Sequence, residues 1–196
     1  MRKTISIVIP VFNEEENLRE FYTRLTKVMS EVSYDYDIIF VDDGSRDASS
    51  AILYDLSQND EHVQAYLLSR NFGHQMALTC GLDHAEGDAV ITMDGDLQHP
   101  PELIPELLGL WEAGYEIVQT VRKDTADASK FKKITSSTYY KLINKMSKVH
   151  ITPGGSDFRL MDRVAIEALR LYNERARFIR GLVNNLGFKL TTLEFV

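Results

Sequence analysis

The sequence predicts an α/β fold: a mostly parallel sheet flanked by helices, built as a single domain. Short β-branched apolar runs alternate with helically spaced apolar residues through the first half of the chain, in the order β-α-β-α-β-α-β. Strands separated by helices pair in parallel. The strand runs are apolar throughout rather than alternating, the pattern of a sheet covered on both faces. The 196 residues suit one domain with a sizeable core, and no repeat, low-complexity run or linker divides them.

Each element follows from its residues. Ile5 to Ile9 (ISIVI) is a buried strand ended by Pro10. Leu18, Phe21, Leu25, Val28 and Met29 set helical spacing over 14–32, and the Glu14–Glu16 run suits a helix N-terminus. Asp37 to Val41 is a second strand, and 47–58 a helix with Ala48, Ala51, Ile52 and Leu56 on one face. Val63 to Leu68 is a third strand, 74–86 a helix ending near Gly87, and Ala89 to Met93 a fourth strand. Pro100 and Pro101 open a helix that ends at Gly114, and Glu116 to Val121 is a strand. A basic amphipathic helix is predicted over 131–148 and a Gly/Pro turn at 152–156. A strand follows at Phe158 to Met161, then helices at 163–171 and 178–186, and a last strand from Phe188 to Phe195.

Composition narrows the function classes. The net charge of -7 argues against general nucleic-acid binding. Residues 121–150 nevertheless hold eight Lys or Arg against Asp124 and Asp127, so this segment is +6 and the rest of the chain -13. A basic region on an acidic protein suggests a local anionic partner. The single cysteine, Cys80, rules out a disulfide framework and makes a reducing compartment the default. The first ten residues do not read as a signal peptide, and no apolar stretch reaches the ~18 residues of a membrane span.

In an open α/β sheet, ligands bind beyond the carboxyl ends of the strands. Each of the first four strands is followed there by a polar cluster: Pro10-Val11-Phe12-Asn13-Glu14, Asp42-Asp43-Gly44-Ser45, Ser69-Arg70-Asn71-Phe72-Gly73 and Asp94-Gly95-Asp96-Leu97-Gln98-His99. Asp94 and Asp96 are the sharpest signal. Two carboxylates two residues apart, just past a strand, can reach one hard divalent cation, Mg²⁺ or Mn²⁺, which often shares its oxygen ligands with substrate phosphates. Gln98 and His99 are close enough to add a ligand or a supporting contact. The bland alternative is a solvated turn. Asp42 and Asp43 can accept from a nucleobase imide or ribose hydroxyls, while Ser45 or Asp47 suits a helix N-cap. No Gly-rich dinucleotide or P-loop motif is present, so a cation between carboxylates is the favoured way to hold a diphosphate. Gly154-Gly155-Ser156-Asp157-Phe158-Arg159 combines a tight turn with Asp157 and Arg159 on one strand face; the alternative is a structural Asp–Arg pair closing a loop.

Together these residues resemble family 2 glycosyltransferases of GT-A (Rossmann-like) fold. They are most similar to the polyprenyl-phosphate branch that includes dolichol-phosphate mannose synthases and undecaprenyl-phosphate glucosyltransferases. The resemblance is carried by ISIVIPVFNEEENL at 5–18, IIFVDDGSRDAS at 38–49, LSRNFGHQMALTCGLDHAEGDAVITMDGDLQHPPELIPELL at 68–108 and GGSDFRLMDR at 154–163. It implies that 1–196 is a catalytic domain. Pro10, Phe12, Glu14, Asp42 and Asp43 are implied to surround the nucleotide. Asp94 and Asp96 are implied to bind a divalent cation (Mg²⁺ or Mn²⁺) and the sugar-nucleotide diphosphate, with Gln98 close to the cation. Asp157 falls at the family's catalytic-base position. Arg159, Arg122 and a lysine among Lys130, Lys132 and Lys133 are implied at phosphate. Members of this branch usually continue into membrane helices, which are absent from this chain, so it is expected to be either a truncated form, the favoured reading, or a free-standing soluble member.

The implied reaction is inverting transfer of a sugar from a nucleotide sugar, UDP-glucose first, to a polyprenyl phosphate on the cytoplasmic side of the cell membrane. Other UDP- or GDP-sugar donors remain open, and a homo-oligomer is allowed. A phosphate acceptor is already anionic, so Asp157 can position or tune rather than remove a proton. The 131–148 helix either rests on an anionic membrane surface or packs on the core with a solvated lysine face. Transfer to a saccharide hydroxyl is the rival enzyme reading, and the basic segment argues for phosphate instead. A nucleotidyltransferase would need a basic Gly-rich loop where PVFNEEEN is acidic. A non-catalytic nucleotide-binding module is the rival from another class.

Overall fold

A computed structural model of the chain describes residues 2–122, 155–172 and 178–195. The predicted helix over 131–148, with Lys130, Lys132 and Lys133, lies outside the described residues.

The first half reproduces the predicted alternation: β1 (Thr4–Val11), α1 (Leu18–Glu31), β2 (Asp35–Asp42), α2 (Ser49–Asn59), β3 (Val63–Leu67), α3 (His74–His84) and β4 (Ala89–Thr92). A single 3₁₀ turn (Pro101–Leu103) then leads into α4 (Ile104–Glu112) and β5 (Ile117–Arg122). The remaining elements are β6 (Gly155–Asp162), α5 (Arg163–Arg170), α6 (Ile179–Asn185) and β7 (Leu190–Phe195). Helix α1 starts later than its acidic run predicts. Asn13 takes a left-handed backbone (φ 56), and the Asn17 and Leu18 N–H groups close a turn onto the Glu14 carbonyl before the helix begins.

All the described strands form one sheet in the order β3-β2-β1-β4-β6-β5-β7. β1 pairs in parallel with β2 and β4, β2 with β3, and β5 with β7. β6 runs antiparallel to both its neighbours, β4 and β5. The mostly parallel sheet thus contains one reversed strand, an orientation its local sequence does not encode. The reversal positions the site. Arg159 pairs with Thr92, so the first residues of β6 extend past the carboxyl end of β4, to the edge where Asp94 begins its loop.

Both faces are covered, which explains the unbroken apolar strand runs. Ile5, Ile7, Ile9, Ile38 and Phe40 pack with α1, α2 and α4 on one face. Val8, Ile39 and Val41 pack with α3, α5 and α6 on the other. Helix α1 buries Leu18, Phe21, Leu25, Val28 and Met29, each contributing roughly 1.5–3 kcal/mol as an upper estimate. Helix α3 lies so close to β1 that a Cβ at Gly81 would overlap the Val8 side chain. That close approach sets the first residue of α3, His74, over the sheet edge.

Candidate active site

The loops after β1 and β2 are laced together by hydrogen bonds. The Asn13 N–H donates to Ser45 Oγ (2.9 Å), the Glu14 N–H to Ser49 Oγ (2.9 Å), and the Arg46 N–H to Asn13 Oδ1 (2.9 Å). Glu15 accepts the Ala48 N–H at 2.7 Å and Asp47 accepts the Ser49 N–H at 3.0 Å. The N-cap position of α2 is Ala48 rather than the expected Ser45 or Asp47; Asp47 accepts the N–H of the first helical residue, Ser49, and Glu15 from a different loop accepts that of Ala48. The loop after β3 is drawn in by Asp43, whose two oxygens accept the N–H groups of Phe72 (2.7 Å) and Gly73 (2.9 Å). Gly44 (φ +70) lies against the Arg70 main chain, where a Cβ would clash.

These loops surround a cleft of about 290 Å³. Pro10, Phe12, Glu14, Asp43, Asp94 and Asp96, drawn from the first, second and fourth clusters, line it together with Asn71 of the third cluster and His74 of the helix that follows. Asp42 is not in the wall. It is only 2% exposed, and its carboxylate accepts from the Ser45 N–H, the Ser45 hydroxyl and the Ser50 hydroxyl. The structure therefore corrects the expected nucleotide contact at Asp42: the side chain is turned inward and holds its own loop.

Asp94 and Asp96 face the cleft from the loop after β4, in which Leu97 takes a left-handed backbone (φ 63). Asp96 accepts the Gln98 N–H at 3.0 Å. The Asp94 main-chain N–H donates to His99 Nδ1 at 2.9 Å. Its Oδ1 is buried and has no hydrogen-bond partner among the described residues; His74 Nε2 stands 3.7 Å away. Burial is the main reason the Asp94 carboxyl sits above its ordinary range, and neighbouring Asp157 and Asp96 add to the shift. An acidic oxygen without a partner, beside a second carboxylate, suits a hard cation. No trio of His, Cys, Asp or Glu converges to hold a metal among the described residues. A pair of carboxylates that leaves further positions to substrate oxygens fits Mg²⁺ or Mn²⁺.

Asp157 closes the other side of this edge. It is 3% exposed. Arg159 Nη2 donates to it at 2.7 Å, Arg180 donates through Nε (3.0 Å) and Nη2 (2.8 Å), and His74 Nε2 lies 3.2 Å away. Burial alone would raise its carboxyl. The bonds from His74 and Arg180, with the Arg159 charge, outweigh burial and hold it well below the usual carboxylate range. In turn the bond to Asp157 lifts His74 above the ordinary imidazole range. A carboxylate held this way is a weak proton acceptor, so the geometry matches the structural-pair alternative better than the role of base.

Arg159 also departs from expectation. It is 1% exposed and does not line the cleft. Nη2 bonds the Ser156 carbonyl (3.0 Å) and Asp157, while Nε and Nη1 have no partner among the described residues. Burial lowers its guanidinium to about 10. A side chain this enclosed offers no surface to an acceptor phosphate, which corrects the expected contact. Arg122 is exposed and donates to Gln98 Oε1 at 3.1 Å, joining two residues expected at different ligands. His74 and Arg180 escaped the sequence reading. Their partner Asp157 lies 83 and 23 residues away in the chain. The one local hint was a histidine opening a helix just past the third cluster.

Comparison with known proteins adds a family. The sequence profile of Glycosyl transferase family 2 matches residues 6–170. The glycosyltransferase YkcC of Bacillus subtilis (strain 168) is 44% identical over 191 residues, 97% of this chain and 59% of that protein. The bactoprenol glucosyl transferase of Shigella phage SfV is 41% identical over 192 residues, 98% of this chain and 62% of that protein. This chain thus spans about three fifths of the length of these curated relatives. Among solved structures, glucosyl-3-phosphoglycerate synthase from Mycobacterium tuberculosis, in complex with Mn²⁺, UDP and glucosyl-3-phosphoglycerate, matches with a TM-score of 0.69. The identity is 17%, over 98% of this chain and 70% of that one, and the likeness shows a GT-A fold.

Proposed function

This chain belongs to glycosyl transferase family 2, and on that premise we propose that it moves a sugar, glucose first, from a UDP-sugar to a polyprenyl phosphate such as undecaprenyl phosphate. The reaction would invert the anomeric carbon at the cytoplasmic face of the cell membrane. The observation that carries this reading is the convergence of Asp94 and Asp96 with Glu14, Phe12 and Asp43 on one cleft. The acceptor class is supported by the 41% identity to a bactoprenol glucosyl transferase.

Asp94 and Asp96 would hold a divalent cation, Mg²⁺ or Mn²⁺, which when bound supplies charge neutralisation to the leaving diphosphate. The protein's own residues do the rest. Phe12 offers an apolar face to the nucleoside, and Glu14, Asp43 and Asn71 offer polar contacts beside it. Asp43 also keeps the loop after β3 closed against the cleft. Asp157 does not take a proton in this mechanism. A phosphate acceptor arrives ionised, so a carboxylate held well below its usual range suffices, acting by orienting His74 and Arg180. Arg180 is 45% exposed and brings a fixed guanidinium next to the cleft, suited to phosphate. Arg122 and the lysines at 130, 132 and 133 are proposed to receive the acceptor phosphate.

The test is transfer of labelled glucose from UDP-glucose to undecaprenyl phosphate in vesicles by the full-length protein, with and without EDTA. Glucosyl lipid should form only with a divalent ion, and Asp96→Asn should abolish it. Undiminished transfer by Asp96→Asn would sink the metal assignment, and transfer to an oligosaccharide in preference to the lipid would sink the acceptor.

A further inference from the structure

The acidic residues at this sheet edge are held in two different ways. Asp42, Asp43 and Asp157 are held by their carboxylates, which accept two or more bonds each. Asp94 is held by its main chain. Its N–H donates to His99 Nδ1 at 2.9 Å, while the nearer carboxylate oxygen stands 3.5 Å from the same nitrogen, too far for a good hydrogen bond. A nitrogen that accepts carries no proton, so the network assigns His99 as neutral with its proton on Nε2. That Nε2 meets Ser156 Oγ at 2.6 Å, and Ser156 Oγ in turn accepts the Phe158 N–H at 3.1 Å. The ring is 8% exposed and packs against Phe158 and Phe195, at centroid distances of 5.4 and 6.3 Å.

We propose that His99 is a positioning residue: it fixes the Asp94 main chain through Nδ1 and ties that loop through Nε2 to the start of β6, leaving the Asp94 carboxylate for a cation-bound diphosphate. The role rests on the donor-site reading above and deepens it. Both ring nitrogens are used, so His99 is not itself a metal ligand. The tie joins the loop after β4 to the residue preceding Asp157, so the donor side and the Asp157 cluster are held in register by one imidazole. Contacts that orient a metal-binding residue rather than the metal commonly change affinity by about 10–100-fold when lost.

The experiment uses the full-length protein and three readouts: calorimetric binding of Mn²⁺ with UDP, hydrogen exchange at the Asp94 amide, and KM against kcat with UDP-glucose. His99→Phe keeps the ring volume and removes both bonds. It should weaken Mn²⁺·UDP binding about tenfold or more, speed exchange at Asp94 and raise KM. His99→Asn restores an acceptor near the place of Nδ1 and should recover most of the affinity. Should His99→Phe fail to fold, Ser156→Ala leaves the ring in place and cuts the Nε2 tie, together with the Phe158 N–H bond to the same hydroxyl, and should still weaken binding; unchanged affinity there overturns the tie. A wild type that binds Mn²⁺·UDP, beside a folded His99→Phe that binds equally well, overturns this role alone. So does His99→Asn binding no better than His99→Phe. A wild type that does not bind Mn²⁺·UDP overturns the donor-site reading and this role together.

Discussion

Asp157 and Asp94 occupy the same sheet edge, and the chain treats them in opposite ways. Asp157 sits under two guanidiniums and an imidazole, with its oxygens satisfied and its proton affinity driven down. Asp94 is more exposed, keeps an oxygen without a hydrogen-bond partner among the described residues, and has its proton affinity driven up by burial. A satisfied buried carboxylate is framework. An unsatisfied one beside a second carboxylate is a standing cost that a bound cation can relieve. An unpartnered oxygen that also faces a cleft, as that of Asp94 does and the buried Arg159 nitrogens do not, therefore suits a ligand.

That contrast can be broken by mutation. The largest effect is expected at Asp157. Asp157→Asn leaves Arg159 buried without its counter-charge, and breaking such a pair costs about 3–5 kcal/mol. For a chain of this size that lowers the melting temperature by roughly ten degrees, readable by calorimetry. Acid should reproduce the loss. The folded pKa of Asp157 is depressed, so its stabilisation is complete above the unfolded value near ~3.9 and is lost only as pH falls below it. A melting temperature that is flat from pH 6 to pH 3 would contradict this.

Asp42→Ala comes next. It strands the Ser45 and Ser50 hydroxyls and loosens the entry to α2, for about 1–3 kcal/mol by chemical denaturation. Nucleotide affinity should follow stability there rather than vanish, because Asp42 lies outside the cleft wall. The smallest stability change is expected at Asp94. Asp94→Asn removes a charge whose Oδ1 has no hydrogen-bond partner among the described residues and whose nearest imidazole nitrogens stand 3.5 and 3.7 Å away, so the ligand-free protein should unfold within about 0.5 kcal/mol of wild type or be slightly more stable, while cation-dependent UDP binding disappears. If Asp94→Asn destabilised the protein as strongly as Asp157→Asn, the distinction between the two carboxylates would be lost.

Much of this was legible in the sequence. The runs ISIVI and DIIFV are apolar on both faces because helices cover both faces, and that pattern is local. The Asp94/Asp96 pair was legible because its spacing and its place after a strand lie within a few residues. The fate of Asp42 was not, since Asp42 and Asp43 look alike in sequence and differ only in which way each side chain turns. The direction of β6 was hidden as well, because an antiparallel strand flanked by covered neighbours is as apolar as a parallel one. His74 and Arg180 were invisible for a related reason: what defines them is a carboxylate far along the chain.

The reversed strand has one more effect. Val121, one residue from the end of β5, pairs with Gly155 at the start of β6, so two points far apart in the sequence are fixed side by side at one edge of the sheet. Joining two points already fixed side by side depends only weakly on how many residues lie between them, so insertions or deletions between these positions should cost the sheet little. The loops after β1, β2 and β3 are tied to one another by hydrogen bonds and should tolerate such changes less well.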